Sequence, residues 1–156
     1  MPPRSPLAPA THPTLPPIAG VRVGAAEARI RYKNRTDLFM AVLDAGTTVA
    51  GCLTRSLTAS APVLWCKANL PGGSARAIVV NSGNSNAFTG KAGQGTVEAT
   101  AAAAAKLAGC RPGEVFIAST GVIGEPIPPE VIPNALPALH GSLKPDAWAE
   151  IGRAHV

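Results

Sequence analysis

The chain has 156 residues, a formal net charge of +5, 46% hydrophobic residues and 15% charged residues. This length suits one domain with its own core, and the longest apolar runs fall well short of the roughly 20 residues that a membrane-spanning helix needs. Aromatic residues make up only 4% of the chain, so the core must be built from Ala, Val, Ile and Leu. The composition therefore predicts a soluble globular protein.

Residues 1–17 are rich in proline and contain no acidic residue. Such a composition cannot bury enough apolar surface to fold, so a disordered or polyproline-like tail is expected there. The folded part is expected to begin near Ile18 and to form a single α/β domain over residues 18–156.

A basic segment follows, in which charged side chains alternate with Ala28, Ile30 and Tyr32. Alternation with a period of two predicts a half-buried strand that turns a basic face to solvent. One interpretation of that face is an electropositive patch for nucleic acid or an acidic substrate, and the other is ordinary solvation of a strand. We favour the second, because only Tyr32 offers a ring for stacking on bases, and we expect no nucleic-acid partner. The basic residues are Arg29, Arg31, Lys33 and Arg35.

Strands come first along the chain and helices alternate with strands afterwards, which predicts an α/β (α+β layered) fold with helices packed on a mixed sheet. The third and fourth strands are expected to form a hairpin. Pro133 and Pro137 are expected to interrupt the third helix. The predicted strands are Gly20–Val23, Ala28–Tyr32, Asp37–Leu43, Thr47–Leu53, Arg76–Asn81 and Glu114–Ser119, and the predicted helices are Ala61–Leu70, Thr96–Leu107, Pro128–Leu139 and Lys144–Ala154.

The cysteines and histidines argue against a metal site. There are three of each, they are widely spaced, and the chain has no Cys-x-x-Cys pair. A zinc site needs closer pairs of ligands. We therefore expect no metal, and free buried thiols in a reducing compartment.

Two glycine-bearing turns each follow a short β-like run. The first, residues 81–90, is rich in Asn and Gly, but it lacks the Lys-Ser/Thr ending of a P-loop and the three-glycine spacing of a dinucleotide-binding turn. Phosphate binding stays open for this turn, although we favour a structural role, because Asn and Gly accept unusual backbone angles.

The second turn, Ser119-Thr120-Gly121, is the candidate site. A threonine hydroxyl next to a glycine N–H can form two donors that point at one oxygen, and such a pair stabilises the oxyanion of acyl transfer. Thr120 is alternatively a nucleophile, although that role needs a base and none is evident nearby in the sequence. A plain turn at the end of a strand is the third interpretation.

The order of four motifs resembles the N-terminal part of the ornithine acetyltransferase family of arginine biosynthesis, also called bifunctional glutamate N-acetyltransferase. The resemblance runs from about Ile18 to Trp148. The motifs are Arg35-Thr36-Asp37-Leu38, Ala61-Pro62-Val63 with Cys66, Arg76-Ala77-Ile78-Val79-Val80-Asn81-Ser82-Gly83-Asn84, and Ala118-Ser119-Thr120-Gly121-Val122-Ile123-Gly124.

The resemblance implies an enzyme that is made as one precursor and cleaves itself before a threonine. That threonine becomes the nucleophile, with its own α-amine as the base. By a ping-pong route it takes acetyl from N-acetylornithine and passes it to glutamate. The family's oxyanion hole is a Thr-Gly pair, which implies that Thr120 donates through its hydroxyl and Gly121 through its backbone N–H. No cofactor is implied, although some members accept acetyl-CoA as donor.

This sequence departs from the family pattern in three places. The family continues past Trp148 into a Thr-Thr-Asp segment and a lysine that contact substrate, and then to the cleavage threonine, whereas this chain stops at Val156. Phe88 stands where the family usually has cysteine, which we interpret as a packing change. The prolines named above weaken the helix that follows the oxyanion motif.

These departures predict that the chain alone does not catalyse acetyl transfer. Its partner is expected to be a C-terminal half that carries the nucleophile, in a cytoplasmic hetero-oligomer. Two alternatives remain: a truncated, inactive fragment, and a binding or assembly module without catalysis. A binding module has no need to aim two donors at one point, so the turn at residues 119–124 discriminates between an acetyltransferase and a binding module.

Overall fold

A computed structural model describes residues 11 and 13–153, without the side chains of residues 151–153. Most of the predicted tail and the end of the last predicted helix lie outside these residues. Residues 13–17, which are described, have no regular secondary structure and are exposed.

The centre of the fold is a four-stranded mixed sheet. Its strands, in spatial as well as chain order, are β1 (Val21–Ala26), β2 (Leu38–Leu43), β3 (Ala77–Asn84) and β4 (Val115–Val122). The pairs β1–β2 and β2–β3 are antiparallel, and β3 runs parallel to β4. The predicted fold class, helices packed on a mixed sheet, is confirmed.

Within the residues that the structure describes, four α-helices pack on or beside this sheet: α1 (Ala61–Asn69), α2 (Gly90–Ala108), α3 (Val131–Gly141) and α4 (Trp148–Arg153). The helix α2 connects β3 to β4, as a parallel pair of strands requires. It begins six residues before the predicted start and ends at Gly109, whose φ of 63° suits a C-terminal cap.

The main core lies between one face of the sheet and helices α1, α2 and α3. Met40 and Val79 point into it from the sheet, and Ala101 and Ala104 of α2 are fully buried against them. Small alanine side chains allow the helix axis to approach the sheet closely, so the scarcity of aromatic residues costs little packing density.

The opposite face of the sheet is covered unevenly. Over β1 and β2, Val23 and Phe39 pack with Ala147 and with the side chain of Trp148 at the start of α4. Along β4, Val115 and Ile117 are buried on the core face, whereas Ala118 and Thr120, which point to the opposite face, are exposed. The candidate site therefore lies on the open half of this face.

The predicted strand Ala28–Tyr32 is wrong, because these residues form a loop. Arg29 has a φ of 57°, which breaks an extended chain. The Asp37 carboxylate accepts the N–H of Ala28 at 2.6 Å and the N–H of Ile30 at 2.8 Å, so these groups bond to a side chain and not to a neighbouring strand. Ala28 and Ile30 still pack against the core, which explains the alternation in the sequence.

The predicted hairpin of Asp37–Leu43 with Thr47–Leu53 is also wrong. The strand β2 has β1 on one edge and β3 on the other, so neither edge is left for a hairpin partner. Residues 47–53 run along the surface, with a single bridge between Thr48 and Ser74.

The helix α3 continues through both of its prolines, contrary to the prediction. Pro133 lies in the first turn, where a backbone N–H has no intrahelical acceptor to lose. Pro137 lies inside the helix, at a cost of about 3 kcal/mol. Ile132, Leu136 and Leu139 are buried, and each such side chain contributes roughly 1.5–3 kcal/mol. Packing therefore outweighs the proline penalty.

Candidate functional site

Thr120 and Gly121 lie near the carboxyl end of β4, beside the carboxyl end of β3. Thr120 is in register with Ser82, and Gly121 is in register with Gly83. Both Thr120 and Gly121 are exposed. The carboxyl ends of parallel strands meet at one edge of a sheet, where ligands commonly bind in α/β proteins.

Gly121 is in close backbone contact with β3. A Cβ atom at this position would lie 2.6 Å from the Asn84 nitrogen and 2.7 Å from the Gly83 carbonyl oxygen, which no side chain tolerates. The φ of Gly121 is 131°, in a region that L-residues rarely adopt. The pairing also shifts register after Gly83, as in a β-bulge, and such bulges often re-aim groups beside functional sites. Glycine is therefore required at position 121.

A partly buried hydrogen bond holds Ser119, the residue that precedes Thr120. Ser119 Oγ donates to Asn81 Oδ1 over 2.5 Å, and Asn81 Nδ2 donates to the Asn84 carbonyl oxygen over 3.0 Å. Asn81 is 2% exposed. One side chain of β3 thus fixes both the end of β4 and the end of its own strand.

The side chains of Asn84, Asn86 and Thr89 connect the carboxyl end of β3 to α2. The Asn84 carboxamide accepts the N–H of Asn86 at 2.6 Å and donates to the Glu125 carbonyl oxygen. Asn86 donates to the Gly93 carbonyl oxygen over 3.0 Å and accepts from the Thr89 hydroxyl over 2.7 Å. The side-chain amides of the first glycine-bearing turn are thus used within the protein, which fits the structural role that we favoured for this turn.

The segment after the site is anchored to the same turn. Ser85 donates both its N–H and its hydroxyl to the Val122 carbonyl oxygen, each over 2.9 Å. Gly124 donates its N–H to the Ala87 carbonyl oxygen over 2.9 Å. The residues that follow Thr120 and Gly121 are therefore held by hydrogen bonds to the β3–α2 connection, whereas Ser119, which precedes them, is held by Asn81 of β3.

The basic segment lies next to the site, which the sequence analysis missed. Arg31 forms an ion pair with Glu125, and a Cβ on Gly83 would lie 3.3 Å from the Cβ of Arg31. The guanidinium carbons of Arg31 and Arg35 lie 5.7 and 5.6 Å from the centroid of the Tyr32 ring. Hydrogen bonds to Tyr32 and Glu125 raise the pKa of Arg31. The only sequence signal for the position of this basic segment is that Asp37 follows it closely in the chain. The Asp37 carboxylate accepts the N–H groups of Ala28 and Ile30 and so holds the segment in place.

Ser82 was also missed as a separate site residue. Its side chain is 3% exposed, and its Oγ has no hydrogen-bond partner among the described residues. Within the sequence, Ser82 is one of several small polar residues in the strand end, so nothing there distinguishes it. Only the three-dimensional pairing places it beside Thr120.

The site is an open strand end and not a closed cavity. A cleft of about 520 Å³ lies between the first turns of α1 and α2, with Leu57, Leu64 and Phe88 among its lining residues, and neither Thr120 nor Gly121 lines it. Phe88 is 70% exposed and lies on the wall of this cleft.

The three cysteines are separate free thiols. Cys66 is buried between α1 and β4, where its Sγ donates to the Ile117 carbonyl oxygen over 3.3 Å. Burial raises the pKa of Cys66 and of Cys110. Over residues 11 and 13–153, no group of three or more His, Cys, Asp or Glu residues is placed to hold a metal ion. Nor does any helix in the described part of the chain have the length and apolarity to cross a membrane.

Comparison with known proteins agrees with the motif order. The chain is 56% identical over 150 residues to the arginine biosynthesis bifunctional protein ArgJ of Mesorhizobium japonicum, and 55% identical over 150 residues to the protein of that name in Bradyrhizobium diazoefficiens. Each match covers 96% of this chain and 36% of the relative. The chain thus spans about a third of the length of these curated relatives.

Solved structures show the same fold. An ornithine acetyltransferase from Mycobacterium tuberculosis, complexed with ornithine, matches with a TM-score of 0.78 and 32% identity, over 88% of this chain and 75% of that chain. The arginine biosynthesis bifunctional protein argJ of Bacillus halodurans matches with a TM-score of 0.74 and 30% identity, over 87% of this chain and 69% of that chain. A family model described as the ArgJ family matches residues 22–154, and the chain therefore belongs to the ArgJ family.

Proposed function

We propose that this chain supplies the oxyanion hole of an acetyltransferase of arginine biosynthesis. The complete enzyme moves an acetyl group from N-acetylornithine to glutamate by way of a threonine nucleophile that lies outside these 156 residues. Thr120 donates to the oxyanion through its hydroxyl, and Gly121 donates through its backbone N–H. The substrates, the reaction and the roles of the two donors come from the family resemblance, and the local geometry of this chain supports the choice of Thr120 and Gly121.

One observation carries the assignment. Gly121 is pressed against β3 with a φ of 131°, directly after a threonine whose side chain is exposed. This φ turns the peptide away from the regular strand direction at the point where the sheet edge is open. A strand that only needed to end there would not require a glycine packed against the neighbouring backbone.

The first half-reaction places charge at the two donors. The threonine oxygen attacks the acetyl carbonyl carbon, and the carbonyl oxygen becomes an oxyanion that accepts hydrogen bonds from Thr120 and Gly121. When the tetrahedral intermediate collapses, the C–N bond breaks, the amine of ornithine leaves with a proton, and the acetyl group stays on the threonine. Each fixed donor contributes about 3 kcal/mol of transition-state stabilisation in such sites.

The second half-reaction reuses the same donors. The amine of glutamate attacks the acetyl-threonine ester, the oxyanion forms again, and collapse releases N-acetylglutamate and the free threonine hydroxyl. Because both tetrahedral intermediates hold the same acetyl oxygen, one donor pair serves both steps. In members that accept it, acetyl-CoA enters as an alternative acetyl donor at the first step.

The family resemblance supplies the rest of the proposal. A C-terminal half with the nucleophile completes the site, and the complete protein is a hetero-oligomer of the two halves in the cytoplasm. A donor pair without a nucleophile stabilises a charge that never forms, so the chain alone is inactive.

The test is acetyl transfer from N-acetylornithine to glutamate. The chain is assayed alone and after co-expression with the C-terminal half of the Mesorhizobium relative, beginning at the family's catalytic threonine. We expect activity only in the co-expressed pair. Thr120→Ala is expected to lower kcat about 10²–10³-fold with little change in KM, and Thr120→Ser, which keeps a hydroxyl, is expected to restore most of it.

The two halves of the Mesorhizobium relative itself, assayed in the same way, are the positive control. If they are active and the mixed pair is silent, the chain is an inactive fragment or a module without catalysis, and the proposal fails. If the mixed pair is active and Thr120→Ala leaves kcat unchanged, Thr120 is not an oxyanion donor.

A further inference from the structure

We propose that Ser82 is a positioning residue for Thr120: its hydroxyl donates to Thr120 Oγ1 during the reaction and so directs the proton of Thr120 toward the substrate oxygen. This inference rests on the proposed function, because it concerns how one donor of the oxyanion hole is oriented. It adds a residue from a different strand to that site.

The placement of Ser82 is the first support. Ser82 of β3 and Thr120 of β4 are register partners, and the shift in pairing begins only after them. Val79 and Ile117 point into the main core from the two strands, so by alternation both hydroxyl side chains stand on the opposite face. Register partners in a sheet are about 4.8 Å apart, within the reach of a hydrogen bond between Ser and Thr side chains.

The unpaired state of Ser82 is the second support. Its side chain is 3% exposed, and its Oγ has no hydrogen-bond partner within the described residues. A buried hydroxyl without a partner costs roughly 1–3 kcal/mol, which a protein rarely tolerates without a function or a partner.

Ser82 is hydrogen-bonded to Asp37 through its backbone and not through its hydroxyl. Its backbone N–H donates to the Asp37 carbonyl oxygen over 2.9 Å. The two carboxylate oxygens of Asp37 each accept an N–H, from Ala28 and from Ile30. Thr120, in contrast, is exposed and makes no side-chain hydrogen bond to any described residue, so its oxygen can accept.

The direction of the protons gives this contact a chemical role. A hydroxyl can donate one hydrogen bond and accept two. An exposed threonine hydroxyl rotates freely among its staggered positions and spends only part of its time as a donor toward the oxyanion. Once Thr120 Oγ1 accepts from Ser82, its own proton must point elsewhere, and donation strengthens because hydrogen bonds in a chain polarise each other.

A double-mutant cycle tests the inference in the co-expressed enzyme described above. Ser82→Ala is expected to lower kcat about fivefold with KM unchanged, the size of one ordinary hydrogen bond. In the Thr120→Ala background, Ser82→Ala is expected to change kcat less than twofold, because the group that Ser82 positions is gone. Ser82→Thr, which keeps the hydroxyl, is expected to restore at least half of the lost rate.

A purely structural role predicts a different pattern. A destabilising effect of Ser82→Ala would lower activity by a similar factor in both backgrounds and would lower the Tm, and that result would overturn the inference.

Ser142→Ala is the matched control, because Ser142 Oγ donates to the Leu139 carbonyl oxygen at the end of α3, and no loss of kcat is expected. If Thr120→Ala itself has no effect, the proposed function fails first. If Thr120→Ala is harmful and Ser82→Ala is harmless, the inference alone fails.

Discussion

Gly83 and Gly121 face each other across β3 and β4 where no side chain fits between the two backbones. Gly121 has a φ of 131° and Gly83 a φ of 99°, so both residues leave the ordinary strand conformation at the same level of the sheet. The backbones of β3 and β4 are in close contact at these two glycines, and the regular pairing of the strands is lost after them. Thr120 is the residue directly before Gly121. The geometry of the candidate oxyanion hole depends on this contact.

Gly121→Ala is expected to destabilise the fold. The added Cβ would lie 2.6 Å from the Asn84 nitrogen, in a φ region that alanine avoids, so the end of β4 must move away from β3. We expect a loss of about 2 kcal/mol or more in the free energy of unfolding, measured by urea denaturation, and loss of activity in the co-expressed enzyme.

Gly95→Ala is the matched control for that experiment. Gly95 lies inside α2 at an ordinary φ, and nothing stands within 4 Å of an added Cβ. Alanine should stabilise the helix there by up to about 1 kcal/mol. Equal stability changes for the two glycine variants would contradict the importance that we give to the Gly83–Gly121 contact.

The Asn81–Ser119 hydrogen bond is expected to stabilise the site as a coupled pair. Asn81→Ala removes the acceptor of Ser119 and the donor to the Asn84 carbonyl oxygen, and should cost roughly 1–3 kcal/mol in the free energy of unfolding. Ser119→Ala should cost less, because it leaves only Asn81 Oδ1 unpaired. In a double-mutant cycle by urea denaturation, a coupling energy near zero would show that the 2.5 Å contact contributes nothing to stability.

The sequence predicted those parts of the fold, α2 and the centres of β3 and β4, whose structure depends mainly on residues close together in the chain. The alanine-rich segment predicted α2, because alanine favours helix and permits close packing whatever lies opposite. The apolar runs before each glycine-bearing turn predicted the cores of β3 and β4. Thr120 and Gly121 were recognisable as a candidate site because a hydroxyl and a glycine N–H stand next to each other in the chain.

The rest depends on contacts between distant residues. Ala28–Tyr32 has the alternation of a strand, but the Asp37 carboxylate takes two of its N–H groups, and no pattern shows that competition. Pro137 breaks isolated helices, yet the burial of α3 against the sheet outweighs it. Ser82 gains its significance only from register with Thr120, which is set by the pairing of strands that are more than 30 residues apart.

The three cysteines are expected to react with iodoacetamide in the order of their exposure. Cys52 is exposed, Cys110 is partly buried and Cys66 is buried. Burial raises the pKa of Cys66 and Cys110, so less thiolate is present at neutral pH, and thiolate is the reactive form. Mass spectrometry of peptides after timed alkylation should show Cys52 modified first and Cys66 modified only when urea is added. Early modification of Cys66 would contradict its position between α1 and β4.

Glu114 is expected to contribute stability that is lost in acid. The Arg111 side chain, the Arg111 N–H and the Ser74 hydroxyl hold the pKa of Glu114 at about 2, below its ordinary value. A carboxyl whose pKa falls on folding stabilises the protein above its unfolded pKa of roughly 4.3, and this contribution disappears as the pH falls toward 2.

The urea midpoints of wild type and Glu114→Gln should therefore differ most above pH 5 and converge as the pH approaches 2, because a protonated Glu resembles Gln. A gap between wild type and Glu114→Gln that stays constant from pH 7 to pH 2 would mean that the Arg111–Glu114–Ser74 hydrogen bonds do not favour the charged carboxylate.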